Sequence, residues 1–330
     1  MPPDRQRSGW NLTGILSAAI GIALFVWYVR RIGAAEIWDG LRSVGWGFIP
    51  IIAVAGGRFA LRAWALWTCL EPAARPRFGT VFAAVLAGDA IGNLTPLGLI
   101  ASEPTKAAFI RGGGSMGAAI AAVAIETLIY TLSVAAMIAA TTIALVLSVD
   151  LSADMRRTAW LAIAVIASGF VGTAILVWRQ PAIVGRVLSK VLPGGARMQS
   201  VIAKLHDLEQ QILSFARRRR DAIVPVATAE SAFHLLGVLE IALTVWLILG
   251  AAPSPLTAFL LEGANRLVQV VFKPVPLRAG VDEITTGTFT RMLGYGVTLG
   301  ATMGIVRKVR TIFWMLIGTM LLVRRGIGQR

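Results

Sequence analysis

The chain has 330 residues, 56% of them hydrophobic and only 15% charged, with a mean hydropathy of +0.72. A soluble domain carries about 25% charged residues, so this composition excludes an ordinary water-soluble fold. The net charge of +15 fits basic loops beside anionic headgroups rather than nucleic acid, and a single cysteine, Cys69, allows neither an intramolecular disulfide nor a cysteine zinc site.

Crossing a bilayer takes roughly 20 helical residues, and seven long apolar segments can be counted as candidate spans. They lie at about 12–30, 46–70, 116–147, 157–179, 222–250, 287–307 and 310–325. The first follows Arg5 and Arg7 and runs into Arg30 and Arg31 rather than a small-residue cleavage site, so it reads as a retained span. Trp160 and Trp178 bracket the fourth. Eighteen helical residues span about 27 Å, the distance between two interfacial aromatic anchors.

Two segments, 78–105 and 256–285, start apolar and then break at Gly and Pro beside charges. Inside a bilayer such breaks are tolerated where protein or a water-filled cavity satisfies the freed backbone, and transporters place binding sites there. The segments also match each other. An offset of 180 pairs Pro96 with Pro276, Leu97 with Leu277, Glu103 with Glu283, Thr105 with Thr285, Phe109 with Phe289 and Arg111 with Arg291. Similarity at a fixed offset signals structural repetition.

Between the halves, 179–220 carries nine basic residues against Asp207 and Glu209, which makes it cytoplasmic. Met198, Val201, Leu205, Leu208, Ile212 and Phe215 form one apolar stripe there. This amphipathic helix lies on the inner leaflet or packs on the bundle. Counting spans outward, the first broken segment opens from the cytoplasm and the second from outside. That topology also puts Arg30, Arg31, Arg324, Arg325 and Arg330 outside. The expected architecture is all-α: one transmembrane domain over 1–330, with about seven spans and two re-entrant broken helices in an inverted repeat. The repeats cover about 46–179 and 222–325, joined by a linker at about 180–221.

Charges within spans are costly and persist when paired or facing a cavity. The candidates are Arg58, Arg62, Glu126, Glu230, His234 and Glu240, with Asp89, Glu103, Lys106, Glu262, Arg266, Lys273 and Glu283 in the broken segments. Arg58 and Arg62, four apart, share a helix face. They either clamp a phosphate or pair with Glu126 or Glu230. Glu103 and Glu283, seven residues after their prolines, either titrate with a passing headgroup, contact a cationic headgroup, or cap a helix end. Glu230 and His234 can form a short relay on one face. His206 and His234 lack metal-ligand spacing. GGGSMG at 112–117 matches GxGxxG and GxSxG on paper but lacks the strand both motifs require, so it reads as a loop.

The stretch with Asn93, Pro96, Glu103 and Arg111, the Pro274, Pro276, Gly280 and Glu283 pattern, and the AAIAAVAIETLIY segment carrying Glu126 resemble the lysylphosphatidylglycerol synthetase transmembrane region, a flippase-like membrane domain. The resemblance implies translocation of an anionic or aminoacylated lipid between leaflets. Aminoacylation is not expected, because no soluble transferase segment follows the last span. The substrate-binding set is then Arg58, Arg62, Asp89, Asn93, Glu103, Arg111, Glu126, Arg266, Lys273, Glu283 and Arg291, with Pro96, Pro274, Pro276 and Gly280 as hinges. No catalytic residue, cofactor or metal is expected. The expected partners are membrane lipids with anionic phospholipid headgroups, and the expected location is the cell inner membrane. Homo-oligomerisation stays open, as do an enzyme or accessory protein acting on a lipid-linked substrate and a scaffold docking through 180–220.

Overall fold

The computed structural model describes residues 34–94, 98–111, 115–179, 218–272 and 281–328, with Gln210 and Ser214. The first predicted span, almost all of the linker stripe, and Pro96, Lys273, Pro274, Pro276 and Gly280 lie outside these residues. The described elements are helical: α1 (Ala34–Val44), α2 (Phe48–Cys69), α3 (Phe78–Leu94), α4 (Gly98–Ile110), α5 (Met116–Ser148), α6 (Ala153–Arg179), α7 (Ile223–Leu249), α8 (Pro255–Val271), α9 (Val281–Met292) and α10 (Val297–Gly328). Three stretches, Arg42–Cys69, Met116–Ser148 and Arg220–Leu249, are long and apolar enough to cross a membrane by length and composition.

Local chemistry sets several helix ends. Ser115 caps α5, its Oγ accepting from the Ala118 N–H at 3.1 Å. Ser254 does the same for α8 through Thr257, with Pro255 in the first turn. Gly250, at φ 72°, ends α7 in the left-handed conformation that glycine adopts without strain. Replacing Ser115 with alanine should cost about 1 kcal/mol, read as a small drop in melting temperature. An unchanged melt would show that the cap is not needed. The serine of the paper GxSxG motif is thus a helix cap.

The helices α2 and α7 cross antiparallel at the centre. Gly47 lies against Leu247, Gly57 against Leu236, and Arg62 against Glu230, so one number falls as the other rises. Two apolar layers flank this crossing. One gathers Leu66 and Leu70 from the end of α2, Val81 and Val85 from α3, Ile110 from the end of α4, Ala119 from α5 and Ala222 beside α7, with Leu322 of α10 packed on it. The other gathers Ile241 and Val245 from the end of α7, Ala258 and Leu261 from the start of α8, and Leu299 and Met303 from the start of α10, with Phe289 and Leu293 packed on it. The α3–α4 hairpin therefore starts and finishes in the first layer, and the α8–α9 pair in the second. Adding 180 to the bounds of α2, α3, α4 and α5 gives 228–249, 258–274, 278–290 and 296–328. The bounds of α7, α8, α9 and α10 are 223–249, 255–271, 281–292 and 297–328.

One boundary differs from the sequence reading. Segments 287–307 and 310–325 are not two spans. The first part belongs to α9, and α10 is one unbroken helix of 32 residues. Arg307, Lys308 and Arg310 suggested a gap by lowering local hydropathy. In the fold Arg307 and Lys308 are buried, and Arg310 turns to the interior. Because α10 is continuous, the Leu322 end of the chain, with Arg324 beside it, lies at the layer that holds Leu70 and Ala222.

Close helix approach depends on small residues, as is common in bilayers. In α3, Gly88 and Gly92 are four apart. The Lys106 stem lies over the first and Ser102 over the second.

Candidate functional site

The centre of the site is built on α2. Arg58 and Arg62 project on one face toward α5 and α7. Arg62 gives both Nε, at 2.7 Å, and Nη2, at 2.6 Å, to Glu126 Oε1 of α5, with Glu230 of α7 behind it at 3.6 Å. Arg58 donates Nη1 to Glu240 at 2.7 Å and lies 3.5 Å from Glu262. Arg310 of α10 is a second partner of Glu240. Arg266 of α8 pairs with Glu262 at 2.5 Å, where Asn265 donates to the other carboxylate oxygen at 3.0 Å. Four arginines and four glutamates thus alternate in two groups, one around Arg62 and one running Arg266, Glu262, Arg58, Glu240, Arg310. A carboxylate shared between guanidiniums offsets the large cost of taking each ion out of water.

Aromatic rings hold the guanidiniums in place. The Phe233 ring lies 4.5 Å from Arg58 and 4.9 Å from Arg266, and the Tyr130 ring 3.6 Å from Arg62. The negative face of a ring attracts a cation most where water is absent. His234 does not pair with Glu230 as the relay reading required. Its Nε2 instead shares a hydrogen bond with Ser133 at 3.1 Å.

A cavity of about 540 Å³ opens beside this network, well within the range for ligand sites. Arg58, Arg62, Lys106, Arg266 and Arg310 line it, with Asp89 and Glu103 as the acidic members of the wall. Glu126, Glu230, Glu240 and Glu262 are not in the wall. They sit behind the arginines. The cavity face is therefore cationic although the network behind it balances four arginines with four glutamates. A further part of the lining is apolar: Val134, Ile138, Ile166, Leu267 and Val270. The α3–α4 hairpin supplies the remaining polar groups. Lys106 Nζ donates to Glu103 at 3.0 Å, and the Thr127 hydroxyl to Glu103 at 3.0 Å. Asn93 donates to both the carbonyl and the carboxylate of Asp89, each at 3.0 Å.

Of the predicted binding residues, Arg58, Arg62, Asp89, Asn93, Glu103 and Arg266 meet at this cavity, and Glu126 backs it. Arg111 and Arg291 do not. Both are exposed at the C-terminal ends of α4 and α9, away from the lining. A cation beside exposed terminal carbonyls is favourable on dipole grounds alone, which accounts for their match across the two halves. Glu283 falls in the first turn of α9, and its side chain is outside the described residues, as is Lys273. The reading missed Arg310, Tyr130 and Phe233 as site residues, and left Lys106 as a charge without a place in it.

Long apolar helices, an intramembrane network of paired charges and a cation-walled cavity define an α-helical membrane protein. The chain belongs to the family described as the lysylphosphatidylglycerol synthase TM region, whose model matches residues 14–318. Membership places it among membrane proteins related to lipid modification or transport. Comparison with curated proteins and with solved structures gave no match.

Proposed function

We propose that the protein moves an anionic phospholipid between the leaflets of the cell inner membrane, with the headgroup passing through the cavity. The carrying observation is the wall itself: five basic side chains face the space while four glutamates stand behind them. A phosphate can accept from these donors without displacing the carboxylates that hold them. The apolar lining at Val134, Ile138, Leu267 and Val270 suits the start of an acyl chain.

The two hairpins, opening from opposite layers, support a pair of inverted repeats and hence alternating access. The first layer carries Arg75, Arg77, Arg111, Arg218, Arg219 and Arg220 around it, which favours the cytoplasmic side for that layer. Arg219 is structural there, donating to the Leu70 and Thr68 carbonyls at the end of α2.

The test is leaflet exchange of a fluorescent phosphatidylglycerol in proteoliposomes, read with a membrane-impermeant quencher. The wild type should exceed protein-free vesicles. Arg310→Gln keeps Glu240 paired with Arg58, and Lys106→Met leaves Glu103 bonded to Thr127, so each removes one wall charge with little damage to the fold. A hydrogen bond to a charged group contributes about 1.5–3 kcal/mol, so each variant should slow exchange about ten- to hundredfold. Wild-type exchange no faster than in empty vesicles, for anionic and zwitterionic probes alike, would overturn the proposal.

A further inference from the structure

Glu230 is the odd member of the charge network. It is fully buried, yet among the described residues neither carboxylate oxygen accepts a hydrogen bond. Its nearest cation, Arg62, spends two donors on a single oxygen of Glu126 and stands 3.6 Å from Glu230. The other charged or titratable groups facing it are Glu126 and Tyr130 of α5, Cys69 of α2 and Lys106 of α4. His234, one turn along α7, is engaged with Ser133. One guanidinium thus serves two carboxylates. Glu230 therefore carries charge only while Arg62 serves it: an ionised carboxylate with neither donor nor cation is very costly in such surroundings, and a neutral acid far less so. The two acids are linked through that one cation.

A path of oxygens connects the pair to the cavity. The Thr127 hydroxyl lies 3.3 Å from Glu126 Oε2 and 3.0 Å from Glu103 Oε2. Glu103 lines the cavity, and about a third of its side chain is exposed. A hydroxyl between two carboxylates can accept a proton from one and give its own to the other.

We propose that the Glu126–Glu230 pair takes up one proton when an anionic headgroup enters the cavity and releases it when the headgroup leaves, so that lipid movement is coupled to proton movement. This rests on the reading of the cavity as a lipid path. A phosphate that shares Arg62 from the cavity side draws the guanidinium charge away from the two carboxylates. A proton from water at the open face then reaches Glu103, passes through the Thr127 hydroxyl, and forms an O–H bond within the pair. It returns to water on the other side as the phosphate departs. One phosphodiester charge and one proton cross together, so the cycle carries no net charge.

The test uses proteoliposomes of the full chain with fluorescent phosphatidylglycerol and an imposed pH difference, with membrane potential clamped or varied separately. One proton per lipid predicts about a tenfold leaflet asymmetry per pH unit at equilibrium, with the probe accumulating in the leaflet that faces the alkaline side, toward which protons run, and no response to potential. Glu230→Gln, nearly the same shape but unable to titrate, should exchange lipid with no asymmetry from the gradient. Thr127→Val should reach asymmetry more slowly than the wild type, because the relay is broken while the pair remains. Exchange that ignores the gradient in the wild type, or the same asymmetry in Glu230→Gln, overturns the coupling and leaves the lipid path standing. Absence of exchange in the wild type at any gradient removes the lipid path and the coupling with it. If Glu230→Gln does not fold, the wild-type gradient response and the Thr127→Val time course still decide the matter.

Discussion

Arg62→Met is expected to destabilise the protein by about 3–5 kcal/mol, the cost of breaking a buried ion pair from one side. Arg62 is the sole close cation for Glu126 and Glu230 among the described residues. Both carboxylates are essentially excluded from solvent, and without Arg62 they face each other uncompensated. The methionine replaces the stem but not the contact over the Tyr130 ring. Thermal unfolding in detergent measures the loss. The double variant Arg62→Met with Glu126→Gln should recover much of it, because it removes a charge from each side, while exchange stays low because the wall has lost its donor. A single variant that melts like the wild type would mean that the Arg62 cluster is solvated, and would remove the basis for a dry, charge-lined interior.

The second large effect is steric. Gly300 of α10 lies against the backbone of Gly287 and Thr286 of α9, and Gly318 against the Leu86 carbonyl of α3. A Cβ at either place would overlap main-chain atoms, which cannot rotate away as a side chain can. Overpacking of this kind costs about 1–3 kcal/mol per site. The two glycines are 18 residues apart on one helix, about 27 Å, so their costs should add. Gly300→Ala with Gly318→Ala is expected to lose about 2–6 kcal/mol and to shift Arg307 and Arg310, which lie between them, away from their partners. Equal melting of the double variant and the wild type would show that α10 packs less closely than described.

The sequence made some of this legible and hid the rest for identifiable reasons. Helices α2, α5, α6 and α7 fall within a few residues of the predicted spans at 46–70, 116–147, 157–179 and 222–250, because uniform apolar composition over a bilayer's length has few other readings. The end of the chain failed on the same criterion. Arg307, Lys308 and Arg310 look like a polar loop to a hydropathy reading, yet they face other helices inside one continuous α10. Glu126, Glu230 and Glu240 were visible as charges in the wrong solvent, but their partners were not. Arg58 and Glu240 are 182 positions apart, a contact that only the antiparallel crossing of α2 and α7 creates. Phe233 and Tyr130 carried no signal, because a ring beside a guanidinium and a ring beside lipid look alike along a chain. Arg111 and Arg291 match at the offset of 180, yet both sit exposed at helix ends, outside the cavity lining.

Cys69 is the only cysteine in the chain, so Cys69→Ala gives a background for a single reporter thiol. With Thr311→Cys on the cavity wall, the reaction rate with a small thiol reagent in lipid nanodiscs reports what occupies the space. A phosphatidylglycerol bilayer should protect this thiol relative to a phosphatidylcholine bilayer, and adding Arg310→Gln should reduce the protection. Equal rates in the two bilayers would contradict a cavity that draws in anionic headgroups.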